Sequence, residues 1–258
     1  MKMLVASNLD PCANNMARYM LENYHFKSVY NNLYKMNDIL LCIINEEALY
    51  AEYLNYDVEY YIFLSRHKSE SKIPTLTSHF TGNFSKAEFG GNSKELAYTY
   101  PSLQKSYMQN LSMSKVKDYH IIVEATHHGP TSLSKPSLFI EIGSTLKEWN
   151  DMQAISIVCD TIINTLKNIR KSKKIAIALG STHYPSKFND MVINSEFALG
   201  HIAPKYALQF IDHNMLNMML ERSIEKVDAI IIDKKGLGKE KERIMNITSI
   251  YNLEVIKV

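Results

Sequence analysis

The chain has 258 residues, 46% of them hydrophobic and 22% charged, with only 9 Gly and 7 Pro; this is the composition of a folded globular protein and argues against disorder or low complexity. A formal net charge of +2 lacks the basic excess of proteins that hold nucleic acid mainly through phosphates, so any such partner must be met locally. No apolar run approaches the ~20 residues that span a bilayer, the start MKMLVASNLDPC has no signal-peptide pattern, and Cys12, Cys42 and Cys159 form no C-x-x-C pair, so reduced thiols in a soluble cytoplasmic protein without membrane contact are expected.

In chain order, the pattern predicts a strand at Met3 to Ser7, a helix at Cys12 to Glu22, and strands at Ile39 to Asn45, Tyr60 to Ser65 and Thr75 to Phe80. A helix follows at Pro101 to Leu111, with proline in the first turn where its missing N–H is no loss, then strands at His120 to Ala125 and Ser137 to Ile142. The strongest helix is Asp151 to Arg170, where Met152, Ile155, Cys159, Ile162, Leu166 and Ile169 form one apolar stripe. Its basic end, Lys167, Arg170, Lys171, Lys173 and Lys174, complements the helix dipole. A strand at Lys174 to Leu179, a helix at His213 to Ser223, a strand at Ala229 to Asp233, a helix at Lys239 to Ile247 and a strand at Glu254 to Val258 complete the chain. This alternation predicts the α/β class: a single compact domain over residues 1–258, a monomer, built on one extended, largely parallel or mixed sheet flanked by helices, with a possible small insertion near residues 65–96.

Histidine placement is the informative feature. His67, His79, His127, His128 and His183 each lie in or just past an apolar strand, and parallel strands would bring them to one sheet edge, where ligands of such folds bind. Glu124 and Glu141 occupy comparable places, and imidazole with carboxylate is a ligand set that suits zinc. A lone strand-end histidine is more often a hydrogen-bonded structural residue, the reading kept for His25, His120 and His213. Side chains alternate along a strand, so adjacent His127 and His128 are expected to point apart, one as ligand or base and the other orienting a neighbour. Gly129 and Gly180 follow predicted strands, where backbone N–H groups can approach a substrate or receive an oxyanion.

The blocks SRHKSESKIPTLTSHFTGNF (Ser65 to Phe84), EATHHGPT (Glu124 to Thr131), FIEIGSTLKEW (Phe139 to Trp149), GSTHYPSKF (Gly180 to Phe188) and GHIAPKY (Gly200 to Tyr206) together resemble the archaeal and plant type of D-aminoacyl-tRNA deacylase, in order over nearly the whole chain. GSTHYP departs from a more glycine-rich version of its block at Ser181 and Pro185. The resemblance implies hydrolysis of the ester between a D-amino acid and the 3′ end of tRNA, a proofreading and D-amino-acid detoxifying activity, with zinc as cofactor. It also implies a phosphorylase/hydrolase-like fold similar to bacterial peptidyl-tRNA hydrolase. On it, metal ligation is expected from His67, His79, His127 and His183, and catalysis from Glu124, His128 and Glu141. Contact with the acceptor end of tRNA is expected from Arg66, Lys68 and Lys187 toward phosphates, from Tyr184, Phe188 and Tyr206 by stacking, and from the backbone at Gly129 and Gly180. Hydrolysis without a metal, a metal-dependent hydrolase or phosphorylase-like enzyme acting on a small molecule, and a non-catalytic tRNA-binding module are the competing readings.

Overall fold

A computed structural model describes all 258 residues. The elements are β1 (Lys2–Ser7), α1 (Pro11–Asn23), β2 (Lys27–Tyr30), β3 (Leu33–Met36), β4 (Ile39–Ile44), β5 (Tyr61–Lys68) and β6 (Thr75–Phe80). They continue with α2 (Pro101–Ser112), β7 (His120–Val123), β8 (Ser137–Ser144), α3 (Leu146–Trp149), α4 (Met152–Lys167) and β9 (Lys174–Ser181). The last are α5 (Ser186–Asn194), β10 (Phe197–Pro204), α6 (His213–Glu221), β11 (Ala229–Ile232), α7 (Lys241–Ser249) and β12 (Glu254–Lys257). The expected strands and helices all form, with ends shifted by up to three residues. Because α4 stops at Lys167, only that lysine meets the helix dipole; Arg170, Lys171 and Lys173 lie beyond it in irregular chain.

The strands make two sheets, not one: an eight-stranded mixed sheet ordered β2-β3-β4-β1-β5-β8-β6-β7, and a four-stranded parallel sheet ordered β10-β9-β11-β12. The larger sheet is parallel through β4, β1, β5 and β8, but β6 runs antiparallel to β8. One core joins both sheets, with Leu4, Ile62 and Ile140 of the larger and Ala176, Leu199 and Ile231 of the smaller in the same apolar cluster as the buried stripes of α1, α2 and α4. On the other face of the larger sheet, Met3, Val5, Phe63 and Phe139 pack under Ala48, Leu54 and Leu133 of the connecting segments. No helix is long and apolar enough to cross a membrane.

Local chemistry ties these layers to the site. Asp10 caps α1 by accepting from Cys12 N at 2.8 Å and Ala13 N at 3.1 Å, while its other oxygen accepts from Arg66 N at 2.8 Å, fastening the helix start to the end of β5. Asn189 of α5 replaces a missing strand beside β7, accepting from Val123 N at 2.8 Å and donating to Ile121 O at 3.2 Å.

Candidate active site

Residues of matching parity on neighbouring strands share a face of the sheet. In register, Ser65, Glu141 and Thr77 are cross-strand neighbours, as are His67, Gly143 and Thr75, and Phe139 lies opposite His79. His67, Glu141 and His79 therefore project from one face of β5, β8 and β6, the face on which Phe63 and Phe139 stack at 4.7 Å. The histidines meet on this face and not at a common edge of parallel strand ends, because β6 is reversed.

Gly143 makes room for His67. A β-carbon at Gly143 would lie 2.6 Å from both the Cβ and the carbonyl oxygen of His67. Gly143→Ala is expected to push the imidazole off its carboxylates, lowering kcat at least about tenfold while costing about 1–3 kcal/mol of stability from overpacking. Steady-state kinetics beside thermal unfolding checks this, and parental kcat in the variant would show that His67 need not stand where it does.

Beyond Val123 the chain leaves regular structure and is pinned by single bonds: Glu124 N to Ser78 O at 3.0 Å, Ala125 N to His183 O at 2.9 Å, and Gly82 N to His128 O at 2.8 Å. His128 takes a left-handed backbone, φ 44°. The alternation expected to separate His127 and His128 thus does not operate, and both rings turn toward His79. Ring centroids are 4.1 Å apart for His79 and His127, 4.8 Å for His79 and His128, and 4.5 Å for His127 and His128.

Each of these three rings donates Nδ1–H to a backbone carbonyl, His79 to Phe80 at 3.3 Å, His127 to Ala125 at 2.8 Å and His128 to Gly129 at 2.6 Å. A carbonyl only accepts, so in the neutral form of each ring Nε2 is the nitrogen that carries the lone pair. The His79 Nε2 is buried with no hydrogen-bond partner. The ligand atoms of His79, His127 and His128 lie within 4.8 Å of one another, and two further groups satisfy the same limit: Glu124, His127 and His183, and His67, Glu124 and Glu141.

Glu124 joins the groups. Its Oε2 accepts from His183 Nε2 at 2.9 Å and lies 3.8 Å from His127 Nε2, while Oε1 lies 3.2 Å from His67 Nδ1 without hydrogen-bond geometry. His67 Nδ1 is bonded to Glu141 Oε2 at 3.2 Å, and its Nε2 meets the Tyr184 hydroxyl at 3.0 Å. Burial opposes charge on both carboxylates, but the imidazoles outweigh it: His183 and His67 hold Glu124 well below the usual range, and His67 and His79 lower Glu141. Burial likewise opposes a proton on His67, and the two carboxylates overcome it and raise that ring far above its ordinary value. Burial, then the neighbouring rings His79 and His128, push His127 well down; burial and His79 push His128 down to about 4. Both are therefore neutral at pH 7 and able to ligate.

These groups open into a cavity of about 940 Å³. Its lining includes His67, Glu124, His127, His128, Glu141 and His183, with His79 fully buried behind them. Arg66, Lys68, Tyr184 and Tyr206 also line it, although the Arg66 guanidinium is engaged by Glu47 Oε1 at 3.0 Å. Gly129, Gly180 and Lys187 stand away from the lining. Gly129 is pressed against the backbone of Gly90, Gly91 and Leu49; Gly180, at φ 100°, packs against Gly236; and Lys187 Nζ is paired with Asp233 at 2.8 Å. Phe188 is buried in the core and offers no surface for stacking, a correction that follows from α5 laying its apolar side inward. Sequence reasoning missed Tyr50, Lys86, Phe89, Thr126 and Phe210 of the lining. Of these, the exposure of Tyr50, at the end of a one-turn 3-10 helix (Ala48–Tyr50), and of Phe89, in an irregular segment, has no local sequence signal.

A family model described as D-aminoacyl-tRNA deacylase matches residues 54–256. The chain is 41% identical to the D-aminoacyl-tRNA deacylase of Cenarchaeum symbiosum, covering 99% of both chains, and 37% identical to that of Pyrococcus horikoshii, covering 100% of both. A crystal structure described as a conserved protein of unknown function superposes with a TM-score of 0.90 at 28% identity, covering 100% of this chain and 95% of that one.

Proposed function

The chain belongs to the D-aminoacyl-tRNA deacylase family, and we propose that the histidine and carboxylate cavity is where it cuts the ester joining a D-amino acid to the 3′ end of tRNA. It is a hydrolase that proofreads charged tRNA, releasing free tRNA and free D-amino acid. The observation that carries the placement is the convergence of five histidines and two buried carboxylates on one cavity.

His79, His127 and His128 fit zinc: their tautomers are set by backbone carbonyls, two are held neutral, and the buried His79 Nε2 has no other partner. When bound there, zinc supplies Lewis acidity toward a carbonyl and lowers the pKa of a water to about 7. His183 and Glu124 form the proton-handling pair. The carboxylate receives Nε2–H of His183, which leaves Nδ1, held only by a long 3.4 Å contact with the Tyr206 hydroxyl, to accept a proton from an attacking water that displaces that contact, and lets Glu124 stabilise the resulting imidazolium. His67, charged between Glu124 and Glu141, donates through Nε2 to Tyr184, whose hydroxyl hydrogen is then free to protonate the departing ribose oxygen.

Exposed Tyr184 and Tyr206, with Lys68 also lining the cavity, suit a single-stranded end held by stacking and charge. The parallel β4-β1-β5-β8 layer under α1 and α4 supports the phosphorylase/hydrolase-like plan shared with bacterial peptidyl-tRNA hydrolase. The core common to both sheets supports a single working domain over residues 1–258, which we propose acts as a monomer. Three free, buried cysteines and a tRNA substrate suit the cytoplasm.

Hydrolysis of matched D- and L-aminoacyl-tRNAs tests the reading. Turnover of the D-ester alone is expected; turnover of small esters but of neither tRNA would favour a small-molecule hydrolase, and tRNA binding without turnover a binding module.

A further inference from the structure

The site is assembled from two sheets, and one small junction sets their registration. His67, His79, Glu141 and the Glu124 to His128 segment come from the larger sheet, whereas His183 and Tyr206 follow β9 and β10 of the smaller. β10 is an edge strand, and its pairing with β9 slips between Leu199 and Ile202, so that Gly200 and His201 bulge opposite a single residue. On the open side of the bulge, Thr126 N donates to Ile202 O at 3.0 Å, and Ile202 N donates to Thr126 Oγ1 at 3.1 Å.

His201 completes the closure. It is fully buried, and its Nε2 donates to Ala97 O at 2.9 Å, which leaves Nδ1 as an acceptor 3.2 Å from Thr126 Oγ1. Burial pushes its imidazole down to about 4, so the ring stays neutral and this pattern of one donor and one acceptor is the one it keeps. The Thr126 hydroxyl has no freedom left: it receives from Ile202 N–H and must give its hydrogen to His201. Thr126 stands between Glu124 and His127 in a segment with no ladder of its own.

We infer that His201 is a positioning residue which, through the Thr126 hydroxyl, locks the irregular Glu124 to His128 segment to the bulge of β10 and so sets the 2.9 Å contact of Glu124 with His183. His201 touches no substrate atom; it acts by holding the two halves of the proton-handling pair at working distance. The inference rests on the assignment of that pair under Proposed function.

Thr126→Val, which removes the hydroxyl and keeps the shape, and His201→Leu test it, with their double variant, Thr126→Ser and Glu124→Gln assayed in parallel on D-aminoacyl-tRNA. A misplacement on the ångström scale predicts a fall in kcat of about 10- to 100-fold in each single variant with KM changed less than about threefold. The double variant should be no slower than the slower single, because both break one contact. Thr126→Ser, which restores the hydroxyl, should recover kcat. Leu111→Ala, a core change distant from the cavity, serves as the control for lost stability at matched Tm. Parental kcat in Thr126→Val, losses that multiply in the double variant, or an equal fall in the matched Leu111→Ala control overturns the junction. If instead Glu124→Gln keeps parental kcat, the assignment of the proton-handling pair falls.

Discussion

Glu124→Gln is expected to lower kcat for D-aminoacyl-tRNA by about 10²- to 10⁴-fold with little change in KM, the range lost when a positioned proton-transfer pair is disabled. The carboxylate has no substitute. It accepts Nε2–H of His183 at 2.9 Å and faces His67 Nδ1 at 3.2 Å, so a glutamine there either turns its N–H at His183, forcing the other tautomer with Nδ1 no longer a base, or keeps its oxygen on His183 and turns its N–H against His67, without the charge that stabilises the imidazolium. Glutamine also removes one of the two charges that keep His67 protonated, which weakens the donation to Tyr184. Both effects act on bond breaking and not on tRNA capture, so kcat carries the loss. Single-turnover hydrolysis by the folded variant is the measurement; a variant within about threefold of the parent would remove Glu124 from the chemistry.

Removing the metal should have an effect of similar size, and it can be read in two independent ways. Exhaustive chelation, or His128→Ala, is expected to deplete zinc from the purified chain and to reduce turnover by at least about 10²-fold, with zinc restoring the chelated parent and not the variant. The readout free of activity is stability: zinc at about 100 times its dissociation constant adds about 2.7 kcal/mol to the parent, seen as a rise in Tm, and His128→Ala should lose that rise. The pH dependence follows from His79. Its nearness to Glu141 overcomes burial and raises the ring above its ordinary value, so protons compete with zinc for this ring more strongly than at an ordinary histidine, and affinity falls as pH is lowered. Full activity after chelation, with no thermal shift on adding zinc, would sink the metal assignment.

Much of this site is legible in the sequence. The apolar runs around His67, His79 and Glu141 announce strands, and parity within FIEIGS already separates Phe139, Glu141 and Gly143 from Ile140 and Ile142. Local pattern does not carry the geometry between distant segments. FALGHIAP contains Gly200 and Pro204 and does not read as a strand, yet it forms β10 through a parallel ladder with β9, its outer edge met at Ile202 by Thr126. The nine residues of α5 are too few to show periodicity against their block, so Phe188 was expected to stack when it is core. The His127 and His128 pair was expected to diverge as neighbours on a strand do, but β7 ends at Val123 and the left-handed turn at His128 brings both rings to one place.

By itself the sequence determined the class of fold, the set of histidines and carboxylates that gather at one site, and the family to which they point, because hydrophobic period and residue chemistry are local properties written along the chain. Only the tertiary structure decided which of those side chains meet. The reversal of β6, the division into two sheets and the bulge of β10 each depend on pairings between residues far apart in sequence, and no short-range pattern encodes the register of such pairings.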